Sequence, residues 1–471
     1  FATQLRITDQ EAVWHFLYTI SGKGRKKVMG QTFMKEKGIL YLVLTMSLPM
    51  VLSMMVNSLY NIIDSYFVAK ISEDAMTALS LVYPLQNLIN AATIGFGVGI
   101  NAVIAYFLGA QEYKKADRAA TQGTLLNVLH GLVLMIVCIA VLPSFLGLFT
   151  TDAATIDMGV RYSRIVFGFA VIISMDLSFE KVFQAVGKMT VSMISMLCGC
   201  IANIILDPLL IFGVGPFPRM EAAGAAVATV TAQMVVTLVM VWRAFWDTVL
   251  FDKICLWKRT DMQYFRMILK LGVPSSLQSM LYSGISMVLT RMVATWGDAA
   301  VAVQRVGGQV ECISWMTAEG FGSAMNAFTG QNFGARFYER VKKSYWMALL
   351  VIGLWGTFTS CLLFFGAELI FRLFIQEADV VPIGISYLVI LGIGQMPMCV
   401  ELLTVGALQG LGKTMSCSVI TIVFTAARIP LAILLTGTGL GLDGIWWALT
   451  ATSITKGVIY VIYYSWVLKK L

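Results

Sequence analysis

Apolar stretches long enough to cross a lipid bilayer dominate this sequence. From residue 38 onward they run for roughly 20 to 30 residues and alternate with short polar breaks. A helix needs about 20 apolar residues to span the hydrocarbon core, where the backbone must satisfy its own hydrogen bonds. The predicted spans are 39–68, 77–108, 121–145, 159–186, 189–213, 222–246, 269–295, 299–333, 342–371, 384–411, 414–436 and 443–468. This pattern predicts an all-α membrane protein with about twelve transmembrane helices.

Composition excludes several other classes of protein. Hydrophobic residues make up 58% of the 471 residues and charged residues 13%, whereas ordinary soluble domains are about 25% charged. So few charges cannot cover a soluble surface, and so many apolar residues exclude disorder. The sequence contains no H-E-x-x-H, G-x-S-x-G or Walker A motif. We therefore predict a protein that is not an enzyme and does not use ATP.

The charges are sorted between alternate breaks. Lys and Arg number 34 against 26 Asp and Glu, which gives a net charge of +8. Basic residues concentrate after the second, fourth, eighth and tenth spans and in the central connector, and acidic residues concentrate in the remaining breaks. Because an excess of Lys and Arg marks cytoplasmic loops, we predict a multi-pass protein of the bacterial inner membrane with both termini in the cytoplasm. No basic and aromatic groove suggests nucleic acid as a partner.

Cysteine and histidine usage gives no sign of a metal or disulfide framework. The eight cysteines form no C-x-x-C pair, and most lie inside apolar spans. We expect them to be small buried apolar side chains. The two histidines, His15 and His130, are too few and too far apart for a metal cluster. The sequence therefore predicts no cofactor beyond a coupling ion.

The two halves of the chain are related by an internal repeat. Pro49 and Pro274 lie 225 residues apart, and the same offset relates Gly95-Phe96-Gly97 to Gly320-Phe321-Gly322 and Gly187-Lys188 to Gly412-Lys413. The predicted organisation is a cytoplasmic tail (1–37), an N-lobe of six helices (38–246), a cytoplasmic connector (247–268) and a C-lobe of six helices (269–471). Parallel repeats of this kind are typical of secondary transporters, although a duplicated scaffold without transport has the same signature.

Ionisable and polar residues inside the first-half spans indicate a cation or proton site. A charge at the centre of a membrane helix costs at least ~2.5–3.5 kcal/mol, so each such residue is expected to have a structural partner or a function. Asp64 lies in the outer half of the first span, Asn203 and Asp207 share one face of the fifth, and Thr229 lies near the outer start of the sixth. A carboxylate among apolar groups can exchange protons, and amide and hydroxyl oxygens suit Na⁺. The alternative for Asp64 is that it caps its helix.

The second half carries different charges. At the 225-residue offset, Asp64 corresponds to Leu289 and Asn203 to Arg428. The candidates for a substrate cavity or for structural ion pairs are Asp176 of the first half and three acids of the second half, Glu311, Glu319 and Glu401. Glu401 corresponds to Asp176 at the repeat offset. Arg291, Arg305 and Arg428 are candidate partners for these acids, and Glu180 and Lys181 are expected at the inner rim.

These motifs together resemble the multidrug and toxic compound extrusion (MATE) transporters, most closely the bacterial DinF-like branch. The resemblance covers residues 38–468 and is most specific at Asn203-Ile-Ile-Leu-Asp207-Pro208 and at Gly224-Ala-Ala-Val-Ala-Thr229. It implies a two-lobe antiporter that exports lipophilic, often cationic compounds against H⁺ or Na⁺. The family's N-lobe cation site then corresponds to Asp64, Asn203, Asp207 and Thr229. The seventh span has Gln278 and Ser279 where another branch carries an acid, and related sequences often carry an acid at the position of Glu319.

We therefore expect a monomeric antiporter in the lipid bilayer, driven by H⁺ or Na⁺, that works by alternating access. Pro49 removes a helical hydrogen bond and is the expected hinge. A flippase for lipid-linked precursors has a related architecture, but a cavity for such lipids should be positively charged. An intramembrane enzyme and a channel are further alternatives, and the sequence offers neither a catalytic constellation nor a symmetric ring of acids.

Overall fold

The protein is described here from a computed structural model, which covers residues 37–71, 73–147, 152–246 and 261–471. Almost all of the predicted N-terminal tail (1–37) and most of the predicted connector (247–268) lie outside these residues. His15 and Cys255 also lie outside them.

The first half of the chain forms an N-lobe of antiparallel helices. Its helices are α1 (Ile39–Ala69), α2 (Glu73–Gly109), α3 (Tyr113–Leu146), α4 (Ala153–Gly168), α5 (Ala170–Val186), α6 (Met189–Phe212) and α7 (Ala222–Phe245). Helices α4 and α5 belong to one predicted span that is interrupted at Phe169. The turn from α5 into α6 uses Gly187 at φ 85°, a left-handed conformation that favours glycine.

The second half forms a C-lobe of the same design. Its helices are α8 (Met262–Ala294), α9 (Asp298–Gly334), α10 (Tyr338–Phe374), α11 (Val381–Gly410), α12 (Thr414–Ala426), α13 (Arg428–Leu435) and α14 (Asp443–Lys469). Helices α12 and α13 and a short π-helical turn (Thr436–Leu440) divide one predicted span. The predicted all-α fold with two similar bundles is confirmed, and each predicted span corresponds to one helix or one interrupted helix.

Nine helical segments within the described ranges are long and apolar enough to cross a membrane. The segments that do not meet this measure are α4 and α5, which are short, and α8 and α9. Helix α9 contains Asp298, Arg305, Glu311 and Glu319. A helix can carry such side chains within the bilayer only where they face protein or water.

Each lobe has its own apolar core. In the N-lobe, Leu142, Phe167 and Ile211 pack together and are almost completely buried. In the C-lobe, the Trp446 indole is fully buried and meets the Tyr387 ring edge to face, with ring centroids 4.7 Å apart. A further apolar cluster contains residues of both lobes, with Val43 and Val51 of α1 packed with Phe321 of α9, so buried apolar packing also joins the two halves.

The lobes meet through two equivalent pairs of helices. Helix α2 packs against α8, and α1 packs against α9. The internal repeat relates α1 to α8 and α2 to α9, so the interface is pseudo-symmetric. The two lobes thus share one helical interface whose halves have the same design.

The interface is tightest at the end of the molecule where the loops 110–112, 187–188, 335–337 and 411–413 lie, which we call the basic end. A β-carbon on Gly109 would lie 1.9 Å from the Gln331 carbonyl oxygen, and one on Gly334 would lie 2.1 Å from the Tyr106 carbonyl oxygen. The Gln331 side chain also donates a 2.6 Å hydrogen bond across the interface to the Ala185 carbonyl. Backbone meets backbone here, so the lobes are closed against each other at the basic end.

We predict that Gly109→Ala destabilises the protein by about 1–3 kcal/mol, because the added methyl group must push α2 away from α9. The matched control is Gly353→Ala on α10, where a β-carbon would meet nothing within 4 Å and where alanine should favour the helix by up to about 1 kcal/mol. Thermal unfolding of the purified protein in detergent measures both. Equal stability of the two variants would contradict the close approach of the lobes.

Candidate ion-binding site

The structure brings the four predicted coupling residues of the N-lobe together. Asn203 and Asp207 are one turn apart on α6, and the Asn203 amide donates a 3.2 Å hydrogen bond to Asp207 Oδ1. Both side chains are completely buried. Asp207 precedes Pro208, which cannot donate to the Ile204 carbonyl and so leaves one helical acceptor free beside the carboxylate.

Asp64 and Thr229 approach this pair from the neighbouring helices. Helix α1 packs against one side of α6 and α7 against another. The Asp64 carboxylate interacts electrostatically with Asp207, and Thr229 is buried. Asp64 lies five residues before the end of α1, so it lies within the helix and not at its N-terminal cap.

Two tyrosines complete the group and were missed by the sequence analysis. Tyr60 lies one turn before Asp64 on α1, within the field of Asp64 and Asp207 and beside the Thr229 hydroxyl. Tyr162 on α4 is buried and interacts with Tyr60 and both carboxylates. The spacing of four residues between Tyr60 and Asp64 was a usable signal for the first tyrosine, but nothing local marked Tyr162. We call these six residues the N-lobe cluster.

Four oxygen atoms of the N-lobe cluster are buried without a hydrogen-bond partner: Asp64 Oδ1, Asn203 Oδ1, Asp207 Oδ2 and Thr229 Oγ1. A buried acceptor without a partner costs about 1–3 kcal/mol, and more if it is charged. A proton or a small hard cation would satisfy such oxygens, because carboxylate, amide and hydroxyl groups are hard donors. No group of three or more His, Cys, Asp and Glu side chains is placed to hold a metal in the described ranges, and the N-lobe cluster itself has two such side chains, Asp64 and Asp207.

A second polar group lies where the lobes meet, and we call it the interlobe cluster: Asn101, Asp176, Glu180, Lys181, Gln184 and Glu319. Lys181 donates to Glu180 at 3.4 Å and to Gln184 at 3.2 Å, and Gln184 also bonds to Glu180. The Lys181 ammonium acts electrostatically on Glu319 of the C-lobe. Glu180 and Lys181 therefore do not lie at an open inner rim, as expected from the sequence, but in a mostly buried network.

The interlobe cluster holds more carboxylates than cations. Lys181 pairs with Glu180 and acts electrostatically on Glu319, and Glu180 acts on both Asp176 and Glu319. Asp176 Oδ1 is buried without a hydrogen-bond partner. The cluster also contacts α1, because the Gln184 amide lies 3.5 Å from the Met50 sulfur, next to Pro49.

Glu311 belongs to a separate group inside the C-lobe. Gln395 on α11 donates a 3.1 Å hydrogen bond to Glu311 Oε2, and Tyr387 and Arg428 act on the same carboxylate. Although Glu311 and Glu319 both lie on α9, they therefore have different surroundings. We call Glu311, Tyr387, Gln395 and Arg428 the C-lobe cluster.

Glu401 forms a buried ion pair. Its carboxylate lies 2.7 Å from the Lys456 ammonium on α14, and the two side chains are 6% and 3% exposed. This pair has no counterpart at Asp176, since the residue at the Lys456 position of the first half is Thr231. The sequence prediction left the role of Glu401 open between function and structure, and the geometry favours a structural ion pair. Arg291 and Arg305, proposed as partners for the acids, are exposed.

Comparison with known proteins agrees with this architecture. A family model described as MatE matches the chain twice, over residues 49–209 and 274–434. The two matches start 225 residues apart, which is the offset of the internal repeat. The chain belongs to the MatE family of membrane transporters. It is a transporter of small molecules and not an enzyme, as predicted.

Curated relatives match along most of their length. The chain is 25% identical over 420 residues to a FAD transporter of Shewanella oneidensis, covering 88% of this chain and 91% of the relative. It is 25% identical over 433 residues to the probable multidrug resistance protein YoeA of Bacillus subtilis, covering 90% and 92%. It is 24% identical over 406 residues to the multidrug export protein MepA of Staphylococcus aureus, covering 86% and 88%. With membrane-spanning helices and bacterial multidrug transporters as relatives, it is a multi-pass protein of the plasma membrane.

Solved structures share the fold. A multidrug resistance MATE transporter in an outward-facing conformation matches with a TM-score of 0.87 at 23% identity, covering 95% of this chain and 100% of that one. A transporter of the MOP superfamily from Pyrococcus furiosus, described by a reversed polarity of its binding pocket, matches with a TM-score of 0.86 at 23% identity, covering 94% and 99%.

We predict that Glu401→Gln alone destabilises the protein by about 3–5 kcal/mol, because it leaves the buried Lys456 ammonium without its counter-charge. The double variant Glu401→Gln/Lys456→Gln should recover much of that loss. The control is Glu339→Gln, which removes an ion pair with Lys342 whose glutamate is 77% exposed and should change stability by less than about 1 kcal/mol. Thermal unfolding in detergent measures all three. A stable Glu401→Gln protein that has lost transport would instead give Glu401 a functional role.

Proposed function

We propose that this chain is a cation-coupled antiporter that exports lipophilic, often cationic drugs or toxins by alternating access. Inward movement of H⁺ or Na⁺ through the N-lobe cluster supplies the driving force. The basic end faces the cytoplasm, since Lys and Arg are enriched in its loops, and both termini lie there. The protein acts as a monomer, with a complete pair of lobes in one chain.

The observation that carries the proposal is the set of four unpartnered oxygens in the N-lobe cluster. Two carboxylates, one amide and one hydroxyl converge from α1, α6 and α7, and Tyr60 and Tyr162 enclose them. Such a site is costly when it is empty and charged, and stable when a proton or Na⁺ occupies it. That difference is the free energy that an antiporter converts into a change of conformation.

Helix α1 links the N-lobe cluster to the interface. Asp64 and Met50 are fourteen residues apart on this helix, which separates them by about 21 Å. Met50 contacts Gln184 of the interlobe cluster, and Pro49 beside it leaves the Thr45 carbonyl without its helical donor. Occupancy at Asp64 and Asp207 changes the bend of α1 at Pro49, and this bend alters the contacts between the lobes.

The charge of the interlobe cluster supports a cationic substrate. Three carboxylates lie there with one ammonium, which acts on Glu180 and Glu319, so a lipophilic cation gains electrostatic energy that an anion such as FAD does not. The same balance disfavours a flippase for anionic lipid-linked precursors. Asp176 and Glu319 are the acids that we assign to substrate.

We predict that Asp207→Asn lowers cation-driven efflux about tenfold or more, because the neutral amide cannot exchange the coupling ion. Proteoliposomes loaded with a cationic dye and given a pH or a Na⁺ gradient in turn measure the rate and identify the ion. The matched control is Asp157→Asn on α4, an acid that is 57% exposed and pairs with Arg161 at 2.8 Å. Undiminished efflux by Asp207→Asn under both gradients would overturn the coupling role.

We predict that Glu319→Gln and Asp176→Asn each raise the KM for a cationic dye several-fold, because each removes one charge that attracts the substrate. An uncharged lipophilic substrate of similar size should keep its KM. Glu368→Gln is the control, since Glu368 is 62% exposed and pairs with Arg372. Equal effects on charged and uncharged substrates would contradict the electrostatic role of these acids.

A further inference from the structure

A pocket of about 420 Å³ opens at the basic end of the C-lobe. It is lined by residues 336–340 at the start of α10, by Lys342 one turn further on and by Leu471 after the end of α14. The charged side chains that line it are three basic ones and one acidic one: Arg336, Arg340, Lys342 and Glu339. The pocket lies at the N-terminus of α10, where the helix dipole favours an anion. Its charge and its place on the helix therefore both favour an anionic ligand.

Contacts with two neighbouring elements hold the start of α10 in place. Arg340 donates a hydrogen bond to the Lys37 carbonyl just before α1, and its guanidinium lies against the Phe328 ring of α9, 5.9 Å from Cζ to the ring centroid. The Tyr338 ring packs against Phe333 of α9, with ring centroids 6.0 Å apart. The pocket is therefore part of the folded helical body.

The N-lobe copy of this segment has a smaller excess of positive charge. Residues 336–343 contain four basic side chains and one acidic side chain, whereas the corresponding residues 111–118 contain three basic and two acidic side chains. A further acid, Asp261, lies 3.8 Å from Arg118 of the N-lobe copy. The C-lobe segment thus has three basic residues in excess, whereas the N-lobe group is balanced.

Two of the basic residues that line the pocket are specific to the C-lobe. At the repeat offset, Arg336 corresponds to Gln111 and Lys342 corresponds to Asp117. Arg336 and Gln111 have the same backbone conformation, with φ of 62° and 61°. The two turns therefore differ in charge and not in backbone shape at this residue, so the chain contains its own control for the effect of the charge.

An apolar row of side chains leads away from the pocket along α10. The residues that follow Lys342 at intervals of four are all apolar and exposed: Trp346, Leu350, Leu354 and Phe358. Residues four apart form a continuous ridge on a helix, and α10 is long and apolar enough to cross the membrane. Any lipid-facing helix offers apolar surface, but this ridge begins at a basic pocket. A ligand with an anionic head and an apolar tail matches both features.

We propose that this pocket binds the headgroup of an anionic phospholipid, with the phosphate held by Arg336 and Lys342 and an acyl chain along the ridge of α10. Arginine and lysine are the side chains that hold phosphate groups. Basic pockets at the cytoplasmic side of membrane helices bind such headgroups, and the basic end faces the cytoplasm under the proposed function. The lipid site is separate from the N-lobe cluster and does not depend on ion coupling.

The test is lipid binding to the purified full chain in detergent, counted by native mass spectrometry. The protein should bind about one phosphatidylglycerol per chain, and it should bind zwitterionic phosphatidylcholine about fivefold or more weakly. Inorganic phosphate at millimolar concentration should not displace the lipid, because it lacks the acyl chains that contact the ridge. Equal binding of the two lipids would contradict recognition of the headgroup charge, and displacement by phosphate would make this a site for a free anion.

We expect Arg336→Gln to weaken phosphatidylglycerol binding about fivefold, the loss that corresponds to one basic residue at a membrane surface. Glutamine suits this turn, since Gln111 has the same φ in the N-lobe. Arg336→Lys keeps the charge and should keep most of the binding. The matched control is Lys115→Gln, the same change of net charge in the N-lobe copy, where Lys115 pairs with Glu112 at 2.9 Å. Equal weakening in Arg336→Gln and Lys115→Gln would mean that diffuse charge attracts the lipid, which would overturn the pocket as its site.

A gain of binding covers the case in which the Arg336 variants do not fold. Glu339 is the acidic side chain of the pocket and lies 3.2 Å from the Lys342 ammonium. Glu339→Gln removes this competing anion and should tighten phosphatidylglycerol binding several-fold. Unchanged or weaker binding in Glu339→Gln would overturn the proposal. The measurement involves no transport, so a failure of the proposed coupling function would leave these results as they are.

Discussion

A carboxylate enclosed within a membrane protein needs a proton, a counter-charge or hydrogen-bond donors, and the buried carboxylates of the described residues meet that need in different ways. Glu401 has a lysine at 2.7 Å and forms a permanent pair. Glu311 has an amide donor and the field of a fixed guanidinium. Asp64, Asp176, Asp207 and Glu311 each have a buried oxygen without a hydrogen-bond partner, but among these only Asp64 and Asp207 lie together as two carboxylates with no cation among the groups that act on them. Under the proposed function, this lack of a built-in cation leaves the N-lobe cluster open to H⁺ or Na⁺.

The repeat explains how one fold supports such different sites. The two bundles have similar helix packing and so contain equivalent positions, and one such pair of positions is occupied by Tyr162 and Tyr387. Packing constrains the apolar residues that fill the cores, whereas a polar position needs only a local partner. The C-lobe has Leu289, Arg428 and Ala432 at the positions of Asp64, Asn203 and Asp207, so a few side chains change the chemistry of one lobe without altering its architecture.

Hydropathy predicted the helices because a membrane helix is a long apolar segment whatever its neighbours are. Spacing within a helix also predicted that Asn203 and Asp207 share a face. Contacts between helices carry no such local signal, so Tyr162 was not found, and Glu180 and Lys181 were expected at a rim when they lie in a network. The partner of a buried charge depends on tertiary packing, as Lys456 beside Glu401 illustrates.

In the proposed cycle, helix α1 connects the ion site of the N-lobe with the interface between the lobes. This helix carries Asp64 in one cluster and, one residue from Pro49, Met50 against the other. It also packs on α9 of the opposite lobe, which carries Glu319. Met50 and Asp64 lie on the same side of Pro49, so a bend at the proline moves both contacts together relative to the part of α1 that precedes it. At the basic end backbone meets backbone without space for a side chain. Opening at that end therefore requires separation of the lobes, a two-state movement that a bend in α1 can bias.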